Sequence, residues 1–193
     1  MSRRAGVTSA GAVGAVLVGG ASRRMGQPKA LLDVAGIPMA QRVASALSTA
    51  GCVDVVAVGP SELCAGLPHV DDLYPGQGPL GAILTALRVA NGRQVLVVAT
   101  DLPWIDGSSL ASLLGPAANL TDIADVVAAR TTRVEPLCAV WLPSSTEQLQ
   151  SVFDGGERAV HRAMTVLRVF EVDLPAAVLI NVNTPDDLHL RAQ

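Results

Sequence analysis

The chain has 193 residues, half of them hydrophobic and only 16% charged, with a formal net charge of −3 and 3% aromatics. That length suits one domain, 1–193, with a core of ordinary size, and the apolar balance excludes a disordered chain. The slight acidity, the lack of a long basic run and the scarcity of aromatics speak against nucleic acid as a partner and against a polybasic membrane patch.

Residues 1–11 are small, polar and basic and read as a flexible N-terminal arm. The run 12–18 is continuously apolar and predicts a buried strand, and 19–28 is a glycine-rich loop. Pro38 opens a helix that runs to Ala50, with Gly51 at the position just past its end. A second strand is predicted over 53–58. The loop 70–81 is dense in Gly and Pro and leads into a helix over about 80–91. A third strand, 95–99, is followed by Thr100-Asp-Leu-Pro103, and Ser108 is placed to cap a helix reaching about Leu114. Strands at 125–129, 137–142 and 168–172 follow, with helices at about 144–153 and 157–167 between the later ones. Asn181-Val-Asn-Thr-Pro-Asp-Asp187 starts a short last helix. Strands alternating with helices predict an α/β fold: a Rossmann-like three-layer sandwich on a mainly parallel, mixed central sheet. Ligands of such sheets sit outside the carboxyl ends of the strands, where the Gly19 loop and Asp101 both fall.

Arg3 and Arg4 ahead of the apolar 12–18 have the order of a signal peptide, but cleavage after the small residues that follow would cut into the glycine-rich loop. No other stretch reaches the ~18–20 apolar residues of a membrane span, so no membrane partner is expected and the cytoplasm is the expected location. Cys52, Cys64 and Cys138 are odd in number and widely separated, which reads as reduced thiols. His69, His161 and His189 have no metal-ligand spacing.

Four segments carry chemistry. In Leu17-Val-Gly-Gly-Ala-Ser-Arg-Arg-Met-Gly-Gln-Pro-Lys29, glycines let backbone N–H groups approach phosphate oxygens, and Arg23, Arg24 and Lys29 offset the charge of a triphosphate. The loop has neither the Gly-Lys-Ser/Thr of a P-loop nor the GxGxxG of a dinucleotide fold. Asp101, at the end of an apolar strand, can hold Mg²⁺ against phosphate oxygens. Asp71-Asp72 and the Pro75–Gly81 stretch make a tight backbone before a helix, suited to a base or ribose. Asn181 and Asn183 fall on one side of an extended segment, with Thr184 and Pro185 suited to open a helix. Taken singly, each segment also suits a turn, a helix cap or a solvated surface; together they favour nucleotide chemistry.

In this combination the chain resembles the molybdenum cofactor guanylyltransferases, the molybdopterin-guanine dinucleotide synthases. The resemblance covers about residues 13–190. It rests on the first loop through Lys29-Ala-Leu-Leu32, on Pro75-Gly-Gln-Gly-Pro-Leu80, Thr100-Asp-Leu-Pro103, Pro136-Leu-Cys-Ala-Val-Trp141, Gly156-Glu-Arg158 and Asn181-Val-Asn-Thr-Pro-Asp-Asp-Leu188. It implies the nucleotide-diphospho-sugar transferase type of fold and transfer of GMP from GTP to the terminal phosphate of molybdopterin or its molybdenum form, with Mg²⁺. By position, Leu17, Val18, Gly19 and Gly20 would meet guanine and ribose through the backbone, and Lys29 the triphosphate. Asp71 or its neighbour Asp72 would lie near the nucleoside. Asp101 would hold the metal, while Asn181 and Asn183 would face the molybdopterin. Lys29 and a loop arginine, Arg24, would stabilise the departing pyrophosphate. The resemblance also implies transient contact with a molybdenum-insertion protein and apo-molybdoenzymes. Three departures stand out: Pro28 where many members have Asp, Gly81-Ala82 where many have Ala-Gly, and the longer N-terminal arm. Pro-Lys also occurs in cytidylyl relatives, so a cytidylyltransferase for the same cofactor and a transferase for another phosphorylated small molecule stay open. A GTP-binding regulatory protein without turnover is the alternative of another class, against which Lys29 and Asp101 both argue.

Overall fold

The computed structural model describes residues 11–19, 28–183 and 187. In chain order its elements are β1 (Val13–Leu17), β2 (Asp33–Val34), β3 (Ile37–Pro38), α1 (Met39–Thr49), β4 (Asp54–Val58) and β5 (His69–Val70). Then come α2 (Pro79–Ala90), β6 (Val95–Ala99), α3 (Gly107–Ala117), β7 (Val126–Arg130), β8 (Val134–Trp141), α4 (Ser145–Asp154), α5 (Val160–Ala163) and β9 (Val169–Asp173). Seven strands form one sheet in the order β5-β4-β1-β6-β8-β7-β9, and β2 pairs with β3 as a separate hairpin. The β5-β4-β1-β6 half is parallel. β8 is antiparallel to both β6 and β7, and β9 returns parallel to β7.

β1 and β6 are buried along their whole length because helices cover both faces of the sheet. On one face, Val16, Leu96, Val98 and Val127 pack against Val43 and Leu47 of α1 and Leu110 and Leu113 of α3. On the other, Ala15, Leu17, Val95, Val97 and Trp141 pack against Leu80 and Ile83 of α2, Leu149 and Phe153 of α4 and Val160 of α5. This is the three-layer sandwich expected. Gly14 sets how closely α1 approaches the sheet: a Cβ there would lie 3.1 Å from Leu47 Cβ and 3.2 Å from Val55 Cγ2. The thiols of Cys52 and Cys138 belong to these packed regions, and burial pushes them up to about 11 and about 12.

Several elements differ from the sequence expectation. The cap of α3 is Asp106, not Ser108: the Asp106 carboxylate accepts from Ser109 N at 2.7 Å, and the Ser108 hydroxyl donates to the same oxygen. The continuous helix expected over 157–167 is the four-residue α5 and a single 3-10 turn, Met164–Val166. The Glu157 carboxylate accepts from the backbone N–H groups of Arg158 and Ala159, each at 2.8 Å, and Ala159 is still extended, so the helix starts late. The strand expected at 137–142 begins at Val134 and runs antiparallel. The β2–β3 hairpin was not expected; its turn has Ala35 at φ 53° and Gly36 at φ 83°, the left-handed pair that a two-residue hairpin turn requires.

Candidate active site

β4, β1 and β6 are parallel neighbours, so their carboxyl ends open on one side of the sheet. There the chain leaves β1 through Val18 and Gly19 and leaves β6 through Thr100 and Asp101. Thr100 ties the two exits together: its backbone N–H and its hydroxyl both donate to Leu17 O, at 3.4 and 3.3 Å. Val18 N donates to Val58 O at 3.2 Å, which fixes the β1 exit against β4 as well. Gly59 makes the crossing possible. It has φ 141°, and a Cβ on it would stand 2.8 Å from Val18 Cγ2. Above these strand ends is a cleft of about 460 Å³ whose walls include Leu17, Gly19, Lys29, Asp72, Asp101 and Leu137.

Lys29 and Asp101 come from distant parts of the sequence and meet in this cleft. Lys29 opens a 3-10 turn, Lys29–Leu31, and its Nζ lies 3.8 Å from Asp101 Oδ2. The same ammonium donates to Asn183 Oδ1 at 2.6 Å. Burial raises the pKa of Asp101 above the ordinary carboxylate value, outweighing the opposing pull of Lys29; Glu135, on β8, adds to the rise. Ionising this carboxyl is therefore costly unless more positive charge arrives. Asp101 O accepts from Val182 N at 2.8 Å, which brings the 181–183 segment to the site. Val182 is fully buried with Val34, Met39, Leu32 and Trp104, while Asn183 is exposed and Asn181 half-buried, in keeping with the alternation expected of an extended segment. Asn183 N in turn donates to Asp187 Oδ2 at 2.7 Å.

The far wall is the loop before α2, where Gly76 (φ 75°) and Gly78 (φ 81°) face the cleft. Of the two adjacent aspartates, the structure brings Asp72 to the cleft; Asp71 is exposed, and its charge acts on Cys64 instead. Asp72 Oδ1 accepts from Tyr74 N at 3.0 Å and from the Thr85 hydroxyl at 2.9 Å, so this carboxylate also staples the loop to α2. Tyr74 continues outward, its ring 4.7 Å from that of Phe153. A Cβ on Gly81 would lie 2.8 Å from Tyr74 Cβ. The Gly81-Ala82 order thus puts the residue without a side chain against Tyr74 and places Ala82 in the cleft wall.

Sequence reasoning gave no role to Thr85, Gln77, Arg42 or Arg158. The Arg158 guanidinium lies over the Phe153 ring at 3.9 Å and donates to Gln77 Oε1 at 2.7 Å, holding the Gly76–Gly78 loop from outside. The Gly156-Glu-Arg158 motif was the available signal for it. Gly20, Arg23, Arg24, Thr184 and Pro185 lie outside the described residues.

Residues 14–174 match the MobA-like NTP transferase domain. Among curated proteins, the molybdenum cofactor guanylyltransferase of Sinorhizobium fredii is 34% identical over 191 residues, spanning 90% of this chain and 87% of the relative. That of Xanthomonas euvesicatoria pv. vesicatoria is 31% identical over 179 residues, spanning 90% of each. Among solved structures, molybdopterin-guanine dinucleotide biosynthesis protein A from Archaeoglobus fulgidus superposes with a TM-score of 0.77 at 26% identity, covering 91% of this chain and 94% of that one. With its sheet order, its cleft at the strand ends and a match over most of its length, the chain belongs to the MobA-like NTP transferase domain family.

Proposed function

We propose that the protein transfers GMP from GTP to the terminal phosphate of molybdopterin or of its molybdenum form, with release of pyrophosphate. The observation that carries this reading is the convergence of Lys29 and Asp101 on one cleft at the carboxyl ends of β1 and β6, with Asn183 hydrogen-bonded to Lys29. The guanylyl and molybdopterin parts are supported by the names of the relatives.

In this reading the triphosphate lies across the exit of β1, with Leu17, Val18 and Gly19 offering backbone groups to the nucleoside. Lys29 neutralises charge on the phosphates. The acceptor phosphate is already an anion, so the attack on the α-phosphorus needs no general base, and catalysis comes from alignment and charge neutralisation. Asn183, hydrogen-bonded to Lys29, places the acceptor side of the cleft next to the donor side. By the resemblance, Gly20 and Arg23 would also meet the nucleotide and Arg24 the departing pyrophosphate; all three lie outside the described residues.

Mg²⁺ fits the donor set as an ion carried in with the nucleotide. No group of three His, Cys, Asp or Glu placed so that it could hold a metal ion occurs among the described residues. Asp101 offers one half-buried carboxylate, and Mg²⁺ is ordinarily held by one or two carboxylates together with phosphate oxygens and water. When bound, Mg²⁺ supplies neutralisation of the developing phosphate charge. Hand-over of the product to apo-molybdoenzymes, receipt of substrate from a molybdenum-insertion protein, and a cytoplasmic location belong to the same proposal. No helix among the described residues is long and apolar enough to cross a membrane.

Isothermal titration with GTP, CTP, ATP and UTP in the presence of Mg²⁺ tests the reading. Selective GTP binding is expected. Preference for CTP would move the protein to the cytidylyl branch with the same residues in place, and binding of none would overturn the nucleotide assignment.

A further inference from the structure

Arg42 lies on the first turn of α1, outside the cleft, and neither the motifs nor the mechanism use it. It is half-buried, and its guanidinium is engaged on two segments that are remote in sequence. Nε donates to Pro103 O at 3.2 Å, and Nη1 donates to Val34 O at 3.4 Å. The group also lies over the Trp104 ring, 5.5 Å from its centroid. Pro103 and Trp104 stand two and three residues after Asp101. Val34 belongs to the hairpin that begins at Asp33, four residues after Lys29 and just beyond its 3-10 turn.

The apolar neighbourhood repeats this connectivity. Val34, Met39 and Val182 form a small buried cluster of their own, with Leu32 and Trp104 packed against it. Met39 N donates to Leu32 O at 2.9 Å, and Val182 N to Asp101 O at 2.8 Å. Four chain segments therefore converge here: the Lys29 turn with its hairpin, the start of α1, the Asp101–Trp104 turn, and 181–183. Apolar packing of a few side chains resists separation but fixes relative position weakly, because it has no direction. The guanidinium is planar, with donors at fixed angles, and it is the group here that addresses both carbonyls directionally.

We propose that Arg42 is a positioning residue that sets the placement of Lys29 relative to Asp101. The inference deepens the nucleotidyltransferase reading and rests on it for the roles of those two groups. Arg42 holds the β2–β3 hairpin to the Asp101 turn, so the lysine and the carboxylate present themselves to one triphosphate at a fixed spacing. A lysine in its place has a single ammonium and cannot reach both carbonyls with a fixed geometry.

The test is calorimetric triphosphate affinity without acceptor, using whichever triphosphate the parent protein selects. It therefore stays readable if GTP selectivity fails. Arg42→Met is compared with the parent and with Val43→Ala, a core truncation at the next residue of the same helix. The expected result is about tenfold weaker binding in Arg42→Met, while Val43→Ala stays within about twofold. Millimolar free guanidinium is expected to restore much of the loss in Arg42→Met and to leave Val43→Ala unmoved. Should Arg42→Met not fold, Arg42→Lys is read instead, with a loss of about threefold and no guanidinium rescue expected. Equal affinity in Arg42→Met and Val43→Ala, or parental affinity in Arg42→Lys where it is the variant read, would overturn the assignment.

Discussion

Two acid–base pairs sit at opposite ends of the same sheet and differ in every respect that matters. At the end away from the cleft, Asp125 and Arg168 form a two-pronged pair: Nε to Oδ2 at 3.0 Å and Nη2 to Oδ1 at 2.8 Å, with Arg168 N donating to Oδ2 as well. The Asp125 side chain is 1% exposed, and hydrogen bonding from Arg168 holds its pKa below the usual carboxylate range. In the cleft, Lys29 and Asp101 stand 3.8 Å apart, their side chains are 21% and 29% exposed, and burial raises the Asp101 pKa. A carboxylate whose oxygens are occupied by an arginine fork serves the fold. In the proposed function, one that is half-buried and loosely paired keeps its coordination capacity for something that arrives with positive charge.

The largest expected effect follows from that contrast. Asp101→Ala should lower turnover by about 10²–10³-fold, the scale of losing a group that neutralises transition-state charge, while its thermal melting stays near the parent. Near-parental turnover would remove Asp101 from the metal and catalytic role. Asp125→Ala should do the reverse. It leaves Arg168 without the carboxylate that occupies its fork, at about 2–3 kcal/mol, less than a fully buried pair because the arginine is half exposed. For a chain of this size that is a fall in Tm of roughly 5–10 °C. Turnover per folded molecule, measured well below the melting range, should not change; a loss there would mean that the two ends of the sheet are coupled.

A smaller effect separates two roles for Asn183. As an acceptor contact alone, it has no influence on triphosphate binding measured without acceptor. Its 2.6 Å bond to Lys29 predicts otherwise. Lys29→Ala and Asn183→Ala should each weaken GTP binding by about tenfold, and the double variant should be little worse than either, a coupling of about 1 kcal/mol. Strict additivity, or an unchanged affinity in Asn183→Ala, would confine Asn183 to the acceptor side.

Much of this contrast was legible in the sequence at one end of the sheet and little of it at the other. Two continuous apolar runs, one followed by Gly19 and the other by Thr100-Asp101, disclose buried strands and what stands at their carboxyl ends. Asp125 and Arg168 gave no such signal, because a pair 43 residues apart in sequence is set by the parallel registration of β7 with β9. Strand direction was hidden for the same reason: the apolar run of β8 reads the same parallel or antiparallel. The β2–β3 hairpin was missed because its strands are two residues each, too short to show alternation. The choice between Asp71 and Asp72 also needed the structure. Both precede the same loop, and only the Tyr74 N–H and the Thr85 hydroxyl decide which one turns inward.

The most delicate consequence of the comparison is in acid. Asp101 has a raised pKa, so it takes up its proton on acidification before an ordinary carboxyl at ~3.9 does. Burying it ionised works against the fold above that pKa, so its protonation does not unfold the protein; in the proposed function it removes the negative charge that a metal-bound triphosphate would meet. Asp125 has a lowered pKa. Its contribution to stability is complete above ~3.9 and is lost only as pH falls through its depressed native value. On lowering the pH, triphosphate affinity in Mg²⁺ should therefore decline first, in a window above ~4 where melting is still that of the neutral protein, with unfolding following at lower pH. Asp101→Asn should have weak affinity that no longer varies across that upper window, and Asp125→Asn should bring the acid unfolding forward without moving the affinity midpoint. If affinity and melting fall together in the parent, the two carboxylates have not been separated into a binding role and a structural one.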